Sequence, residues 1–146
     1  MTKTIFFDMD GTIADLYGVE NWLEYLINAD ALPYEIAKPL LRLSSLARVL
    51  NRLQKQGYKV GIISWLAKDS SPDYDEEVTA AKKNWLKKHL PSVKFDTIHI
   101  VKYGTPKYYF SNSKEDILFD DEKRNRDDWT GQAFDVDDII EILKGI

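Results

Sequence analysis

Two carboxylates near the start of the chain have the types and spacing that metal-assisted chemistry requires. Asp8 and Asp10 directly follow the apolar run at residues 5–7, where a strand should end. Side chains two positions apart in a strand point to the same side, and Gly11 allows the chain to turn immediately afterwards. Close carboxylates that face a crevice repel each other, and a divalent cation is the usual means of offsetting that charge. The segment therefore predicts a cation-dependent site at the end of the first strand.

The elements that must position these carboxylates alternate between strands and helices. Apolar runs predict strands at residues 4–7, 58–64, 95–101, 116–121 and 133–136, and amphipathic spacing predicts helices at residues 19–27, 46–53, 78–90 and 136–143. Such alternation implies right-handed crossovers and a mostly parallel sheet between two helical layers. The predicted fold is α/β, a Rossmann-like three-layer sandwich with a small helical cap insert at about residues 16–43. The polar stretch at residues 67–75 is expected to be a loop, and the acidic residues Asp73, Asp75, Glu76 and Glu77 are expected to form the start of the helix that follows.

Several polar residues fall where these strands are predicted to end, namely Asp8, Asp10, Ser64, Asp120 and Asp121. Ligands of open parallel sheets bind in the crevice at the carboxyl ends of the strands, near the point where the strand order reverses. The coincidence predicts a single polar site at this edge of the sheet, whatever family the chain belongs to.

The composition limits the classes of function that fit. The 146 residues suffice for a single domain, residues 1–146, and 44% of them are hydrophobic, as a folded protein requires. The net charge of −4 argues against binding of a nucleic-acid polymer but is compatible with small anionic substrates. The absence of cysteine excludes disulfides and thiolate zinc sites. Because no apolar run reaches the length of a membrane span, we expect a soluble, cytoplasmic protein.

The pattern Asp-x-Asp-Gly-Thr at residues 8–12 resembles the first motif of the haloacid dehalogenase-like (HAD) superfamily, whose members are mostly Mg-dependent phosphatases. Three later elements follow in that family's order. Ser64, at the end of a strand, is similar to the second motif, and the acidic pair at residues 120–121 is similar to the fourth. The third motif is a lysine between the later strands, for which Lys107 is favoured over Lys102 because it follows a turn. The resemblance spans nearly the whole chain.

The resemblance implies a role for each of these residues. Asp8 would be the nucleophile that forms an aspartyl-phosphate intermediate. Asp10 would protonate the leaving oxygen and then activate the hydrolytic water, which points to a phosphatase rather than another phosphotransfer enzyme. Ser64, Lys107 and N–H groups of the loop after the first strand would bind the phosphoryl oxygens.

The same resemblance implies a magnesium ion and defined substrate contacts. Mg²⁺ prefers oxygen ligands and retains several waters. The expected metal-binding residues are Asp8, Asp10 through its backbone carbonyl, Asp120, and Asp121, which would bind through water or instead hold the lysine. The expected substrate contacts are Gly11, Thr12 and Trp65.

The insert at about residues 16–43 corresponds to the cap that selects substrates in this family. A cap this small leaves the crevice open or needs a partner subunit to cover it, so a homodimer is one expected assembly. Residues 8–15 also resemble the opening of the 5′(3′)-deoxyribonucleotidase-type branch, which implies a nucleotide among the candidate substrates. Aromatic residues near the expected mouth could stack on a nucleobase or pack within the protein, namely Tyr17, Trp22, Trp65 and Tyr103. Asn125 could also line the site, but an exposed helical position is favoured for it.

Two alternatives of other classes stay open beside a Mg-dependent phosphomonoesterase that acts on a small phosphorylated metabolite. A receiver-type phosphoacceptor domain also combines an acidic pocket, a hydroxyl, a lysine and Mg²⁺ on a parallel sheet. Its acceptor Asp normally ends a middle strand and its acidic pair follows the first, so the order of motifs here disfavours it. The other alternative is a non-catalytic HAD-like module that binds a partner or ligand, although every expected catalytic residue type is present.

Overall fold

The computed structural model describes residues 3–146, and a five-stranded parallel sheet lies at its centre. In chain order the strands are β1 (Thr4–Phe7), β2 (Ala14–Asp15), β3 (Lys38–Pro39), β4 (Lys59–Trp65), β5 (Thr97–Val101), β6 (Ile117–Phe119) and β7 (Ala133–Phe134). The order across the sheet is β5-β4-β1-β6-β7, whereas β2 and β3 form a separate antiparallel ribbon. The predicted α/β class with a parallel, Rossmann-like sheet is confirmed.

Helices cover both faces of this sheet. They are α1 (Trp22–Ile27), α2 (Leu32–Ile36), α3 (Leu43–Lys55), α4 (Pro72–His89), α5 (Lys123–Asp128) and α6 (Ile139–Lys144), with short 3-10 helices at Leu16–Gly18 and Lys107–Phe110. On one face, Ile5 and Phe7 of β1 pack in a cluster with residues of α3, α4 and α6. On the other face, Phe6 packs against Trp129, with ring centroids 5.7 Å apart. The alternation along β1 thus places a helical layer on each side.

Helix α4 begins earlier than the sequence pattern predicted. The polar stretch at residues 67–75 was expected to be a loop, but α4 already starts at Pro72, and Asp73 and Asp75 lie in its first turn, as the predicted acidic helix start requires. The Ser71 hydroxyl caps the helix by accepting a hydrogen bond from the Tyr74 N–H at 3.2 Å, and proline is favourable in the first turn. This Ser-Pro start explains why a polar segment without apolar periodicity is nevertheless helical.

Along the chain, the short helices of the insert come between the two strands of the β2–β3 ribbon. The 3-10 helix Leu16–Gly18 follows β2, and α1 and α2 lead to β3, after which α3 begins at Leu43. Helix α2 packs on α4, where Tyr34 shares a buried cluster with Tyr74 and Val78. Within residues 3–146 no helix is both long enough and apolar enough to cross a bilayer.

Strand β1 lies at the point where the strand order reverses. From β1 the chain crosses to β4 and then β5 on one side, and it returns to β6 and β7 on the other. A crevice forms at the carboxyl ends of the strands at such a switch point. The side chains that follow β1, β4 and β6 are therefore brought towards one another.

Candidate active site

The strand register brings two predicted carboxylates together. Phe7 of β1 pairs with Phe119 of β6, so the residues that follow them, Asp8 and Asp120, leave the sheet side by side. The Asp8 N–H donates to the Phe119 carbonyl at 2.9 Å, which fixes the backbone of Asp8 against β6. Both side chains are buried, with Asp8 7% exposed and Asp120 1% exposed.

Lys107 is the cation that pairs with these two carboxylates. It opens the 3-10 helix Lys107–Phe110 and is buried, and its Nζ lies 2.9 Å from Asp8 Oδ1 and 2.7 Å from Asp120 Oδ2. Burial acts to lower the pKa of the Lys107 ammonium, but the two carboxylates outweigh it and raise that pKa above its usual range. Lys102, the other candidate, is exposed. The geometry thus places Lys107 at the carboxylates.

Asp121 completes a cluster of three carboxylates. One carboxylate oxygen each of Asp8, Asp120 and Asp121 lies within 4.8 Å of the other two. Burial, and then the charge of Asp8, raise the pKa of Asp120 to about 6 and that of Asp121 to about 8. A hard divalent cation such as Mg²⁺ prefers oxygen ligands, and its charge offsets the repulsion among three neighbouring carboxylates. The residues present therefore fit the magnesium ion that the sequence predicted.

The loop after β1 packs against the carboxylate cluster and forms hydrogen bonds with it. Gly11 has a φ of +80°, and a side chain there would collide with the Asp121 carboxylate, so this turn requires glycine. The Thr12 hydroxyl donates to Asp8 Oδ2 at 3.1 Å and accepts from the Asp121 N–H at 3.2 Å. The N–H groups of Gly11 and Thr12 donate to carbonyls within the same loop, at 2.9 Å and 3.1 Å. Direct contact of these residues with a substrate stays a prediction.

A second buried lysine, which was not among the predicted site residues, lies beside Asp10. Lys82 of α4 is 1% exposed, and its Nζ lies 3.0 Å from Asp10 Oδ2, 2.7 Å from Ser64 Oγ and 2.8 Å from the Trp65 carbonyl oxygen. Burial raises the pKa of the Asp10 carboxyl, and the charge of Lys82 opposes this shift. Ser64 has 0% exposure, and its hydroxyl is turned to Lys82.

The spacing along α4 contained a signal for Lys82. It lies four residues after Val78 and three before Trp85, and both of these side chains are buried. Lys82 therefore occupies a position on the apolar stripe of the helix. Lysine is almost never fully buried without a partner, so a lysine on such a stripe predicts a buried acid opposite it.

Asn125 also contributes to the site, and the expectation that it is exposed was wrong. Its side chain is 6% exposed, and Nδ2 donates to Asp120 Oδ2 at 3.1 Å. The Glu122 N–H donates to Asp120 Oδ1 at 2.9 Å, and Arg126 donates to the Asp120 carbonyl at 3.0 Å. Because α5 begins directly after the acidic pair, its first turns fold back onto Asp120. Partners of this kind fix the orientation of a metal-binding carboxylate.

A cavity of about 670 Å³ opens between these residues and the insert. This volume lies in the range of small-molecule sites. Its lining includes Asp8, Asp10, Lys107, Asp120, Asp121 and Asn125 from the sheet side, and Leu16, Leu23, Leu26 and Ile27 from the insert. Its aromatic walls are Tyr17, Trp22, Tyr34, Trp65, Tyr74 and Tyr103. The cavity is thus polar at the strand ends and largely apolar towards the insert.

The aromatic residues predicted near the mouth form two pairs. The Tyr17 and Trp22 rings lie edge to face with centroids 5.0 Å apart, and those of Trp65 and Tyr103 are tilted at the same separation. Trp65 also donates from Nε1 to the carbonyl of Thr105 at 2.8 Å, two residues before Lys107. Trp65 therefore anchors the segment that leads to the buried lysine, and its contact with a substrate stays a prediction.

Comparison with known proteins supports the fold. No family model matches the chain, and no curated protein matches its sequence. Among solved structures it is similar to D,D-heptose 1,7-bisphosphate phosphatase from Burkholderia thailandensis, with a TM-score of 0.51 and 15% identity over 86% of this chain and 70% of that chain. The two chains share a fold. The likeness does not support the narrower deoxyribonucleotidase-type branch.

Proposed function

We propose that this protein is a Mg-dependent phosphomonoesterase of the HAD-like type, which works through an aspartyl-phosphate on Asp8. One observation carries the proposal: Asp8 lies at the end of the central strand, 2.9 Å from the Lys107 ammonium, inside a cluster of three carboxylates at the floor of a cavity. The shared fold with a phosphatase agrees with it. The motif order in the sequence supports the same assignment.

In the first step a carboxylate oxygen of Asp8 attacks phosphorus in line with the leaving oxygen. The new O–P bond forms as the bond to the leaving group breaks, and Asp10 gives its proton to the departing oxygen. The raised pKa of Asp10 supports this role because the carboxyl must hold its proton before the transfer. Lys107 stabilises the charge on the phosphoryl oxygens.

In the second step water hydrolyses the aspartyl-phosphate. Asp10, now ionised, takes a proton from the water as its oxygen attacks phosphorus and the bond to Asp8 breaks. Inorganic phosphate leaves, Asp8 is again a carboxylate, and Asp10 is again protonated. A single residue thus serves as acid and base in turn, which requires it to reach both the leaving oxygen and the water.

Asp8, Asp120 and Asp121 would hold Mg²⁺, with the backbone carbonyl of Asp10 as the further ligand that the resemblance implies. The bound ion would offset the negative charge that accumulates on the phosphoryl group. Without it, a phosphate dianion approaching three carboxylates would meet Lys107 as the nearest buried cation. The charge balance of the cavity floor therefore supports metal dependence.

The walls of the cavity favour a monophosphate whose leaving group has an aromatic or apolar face. Among the described lining residues, Lys68 is the cation besides Lys107, whereas six are carboxylates: Asp8, Asp10, Asp69, Asp120, Asp121 and Glu122. A second phosphate on the substrate would find little positive charge there. Planar groups can stack on the aromatic walls, so nucleoside monophosphates are included among the proposed substrates.

The test is phosphate release from a panel of nucleoside 5′- and 3′-monophosphates, aryl phosphates, sugar monophosphates and sugar bisphosphates. Each is measured with Mg²⁺ and with excess chelator, for the wild-type protein and Asp8→Asn. Asp73→Asn, an exposed carboxylate of α4 outside the cavity, is the matched control. We expect release that needs Mg²⁺, that Asp8→Asn loses by about a thousand-fold or more, and that Asp73→Asn retains.

The other outcomes separate the alternatives. Full activity of Asp8→Asn would contradict the mechanism. A long-lived phospho-Asp8 without release of phosphate would instead indicate a receiver-type phosphoacceptor. Absence of both Mg²⁺ binding and phosphate release would indicate a binding module. Faster release from sugar bisphosphates than from aryl or nucleoside monophosphates would contradict the proposed substrate class while leaving the phosphatase assignment intact.

A further inference from the structure

Lys82 is a buried charged residue that the proposed reaction does not use directly. Its ammonium lies within 3.0 Å of three oxygens: Asp10 Oδ2, Ser64 Oγ and the carbonyl of Trp65. An ammonium has three N–H donors, one for each of these three acceptors, so each hydrogen has a partner. The Tyr34 ring covers the same group, with Nζ 5.2 Å from its centroid. Lys82 is therefore held rigidly, and it has no free donor to offer a substrate.

The hydrogen-bond directions define what each partner contributes. An ammonium can only donate, so Ser64 Oγ and the Trp65 carbonyl are acceptors in these contacts. Both belong to the last residues of β4, a strand paired on both sides within the sheet. The sheet thus fixes two of the three contacts of Lys82. The third contact, with Asp10, is made to a side chain on the loop after β1.

The contact with Asp10 involves one carboxyl oxygen and leaves the other available. Lys82 approaches Oδ2, whereas Asp10 as a whole lines the cavity and is 15% exposed in its side chain. A carboxyl that carries its proton on Oδ1 can still accept a contact at Oδ2. The lysine can therefore fix the rotamer of Asp10 in both of its protonation states, which the two-step reaction requires.

We propose that Lys82 is a positioning residue, which fixes the side chain of Asp10 against the end of β4. Ser64 then acts through Lys82 rather than by direct contact with the phosphoryl group. This inference rests on the proposed function, because it assigns the means by which that function's acid is held in place. Ser64 supports it, since the residue has no exposed surface, does not line the cavity and contacts Lys82. An acid misplaced by about 1 Å loses much of its effect on the rate.

The test compares two aryl phosphates that differ in their need for an acid. The 4-nitrophenolate group leaves without a proton, whereas phenolate benefits from one, and kcat/KM reports the step in which either departs. For Lys82→Met we expect kcat/KM to fall about ten-fold or more for phenyl phosphate and by less than about three-fold for 4-nitrophenyl phosphate. Lys83→Met, the adjacent exposed lysine on the same helix, is expected to behave as the wild type.

Ser64→Ala and the double variant test whether Ser64 acts through the lysine. We expect Ser64→Ala to show the same dependence on the leaving group, more weakly, and to add nothing to Lys82→Met. Inhibition by inorganic phosphate should change by less than about three-fold in Ser64→Ala. If Ser64→Ala instead weakens phosphate inhibition ten-fold and its loss adds to that of Lys82→Met, Ser64 binds the phosphoryl group and the proposal is overturned.

Lys82→Arg keeps the test informative if the methionine variant does not fold. It retains a buried positive charge and several donors but cannot place them at the same points. We expect it to fold and to lose activity selectively on phenyl phosphate. Equal losses on both substrates, or no loss in a folded variant, would overturn the proposal. A wild-type protein without phosphatase activity would contradict the proposed function itself and this role of Lys82 with it.

Discussion

The site has two halves, each built around a buried lysine, and they differ in charge balance. Around Lys107, three carboxylates face one ammonium, and two of them, Asp8 and Asp120, lie within 2.9 Å of it. Around Lys82, one carboxylate, Asp10, and two neutral oxygens share one ammonium. The first half has an excess of negative charge that a cation can offset, whereas the second is balanced by the protein alone. One half is thus suited to receive a ligand, and the other to hold a side chain still.

The largest effect that separates the halves is expected from Lys107→Met. Removal of this ammonium leaves the carboxylate cluster without its buried counter-charge and the phosphoryl group without a donor. We expect kcat/KM to fall about a hundred-fold or more, equally for phenyl and 4-nitrophenyl phosphate. The equal loss on the two substrates would distinguish Lys107→Met from Lys82→Met, whose effect depends on the leaving group. Lys102→Met, an exposed lysine on the same connection, is the control and should retain activity within about two-fold.

The next effect concerns the pH dependence of stability without metal. The pKa of Asp120 is raised to about 6 and that of Asp121 to about 8, against about 4 in an unfolded chain. The folded state therefore binds more protons at these two carboxyls than the unfolded state does, so the stability that they contribute is fully present below about pH 4 and is lost as the pH rises towards 8. Urea unfolding in chelator across this range measures the fall.

A variant and the addition of Mg²⁺ extend the unfolding experiment. Asp121→Asn removes the carboxyl with the higher pKa and should flatten the upper part of the profile. Mg²⁺ at saturating concentration should raise stability most at high pH, where the carboxylates are ionised. A pH profile in chelator that Asp121→Asn leaves unchanged between pH 5 and 8 would contradict the crowding of charge around Lys107.

The smallest effect is expected from Asn125→Ala. Its amide donates to Asp120 at 3.1 Å, so its loss should loosen one metal-binding carboxylate without changing the acid. We expect the Mg²⁺ concentration for half-maximal activity to rise about ten-fold, with an unchanged ratio of phenyl to 4-nitrophenyl phosphate activity. Lys123→Ala on the same helix, which breaks only an exposed ion pair with Asp127, should leave both quantities unchanged. A changed ratio of phenyl to 4-nitrophenyl phosphate activity in Asn125→Ala would show that the metal-binding half also affects the acid, and would contradict the separation of the two halves.

The half around Lys107 could largely be predicted from the sequence, whereas in the half around Lys82 the residues Asp10 and Ser64 were predicted and the lysine that joins them was missed. Asp8 and Asp120 each follow an apolar strand directly and Asp121 is the next residue after Asp120, so a local pattern and the rule for strand ends suffice to bring the three together. Lys82 lies within the predicted helix at residues 78–90, but its partners Asp10 and Ser64 follow β1 and end β4, so these contacts depend on how α4 packs on the sheet. Asn125 was considered for the site but expected to be exposed, because its burial depends on how α5 folds back onto Asp120.

The sequence by itself determined the alternation of elements, the parallel sheet and the acidic ends of its strands, because each of these depends on short-range periodicity and on residues adjacent to a strand. Only the tertiary structure decided which lysine meets which carboxylate. Lys107 and Asp8 are far apart in the chain and meet at 2.9 Å, and Lys82 reaches Ser64 at 2.7 Å across the packing of α4 on β4. Such contacts depend on the crossing of helix and sheet and on the desolvation that burial imposes, and neither is encoded in the spacing of residues within one element.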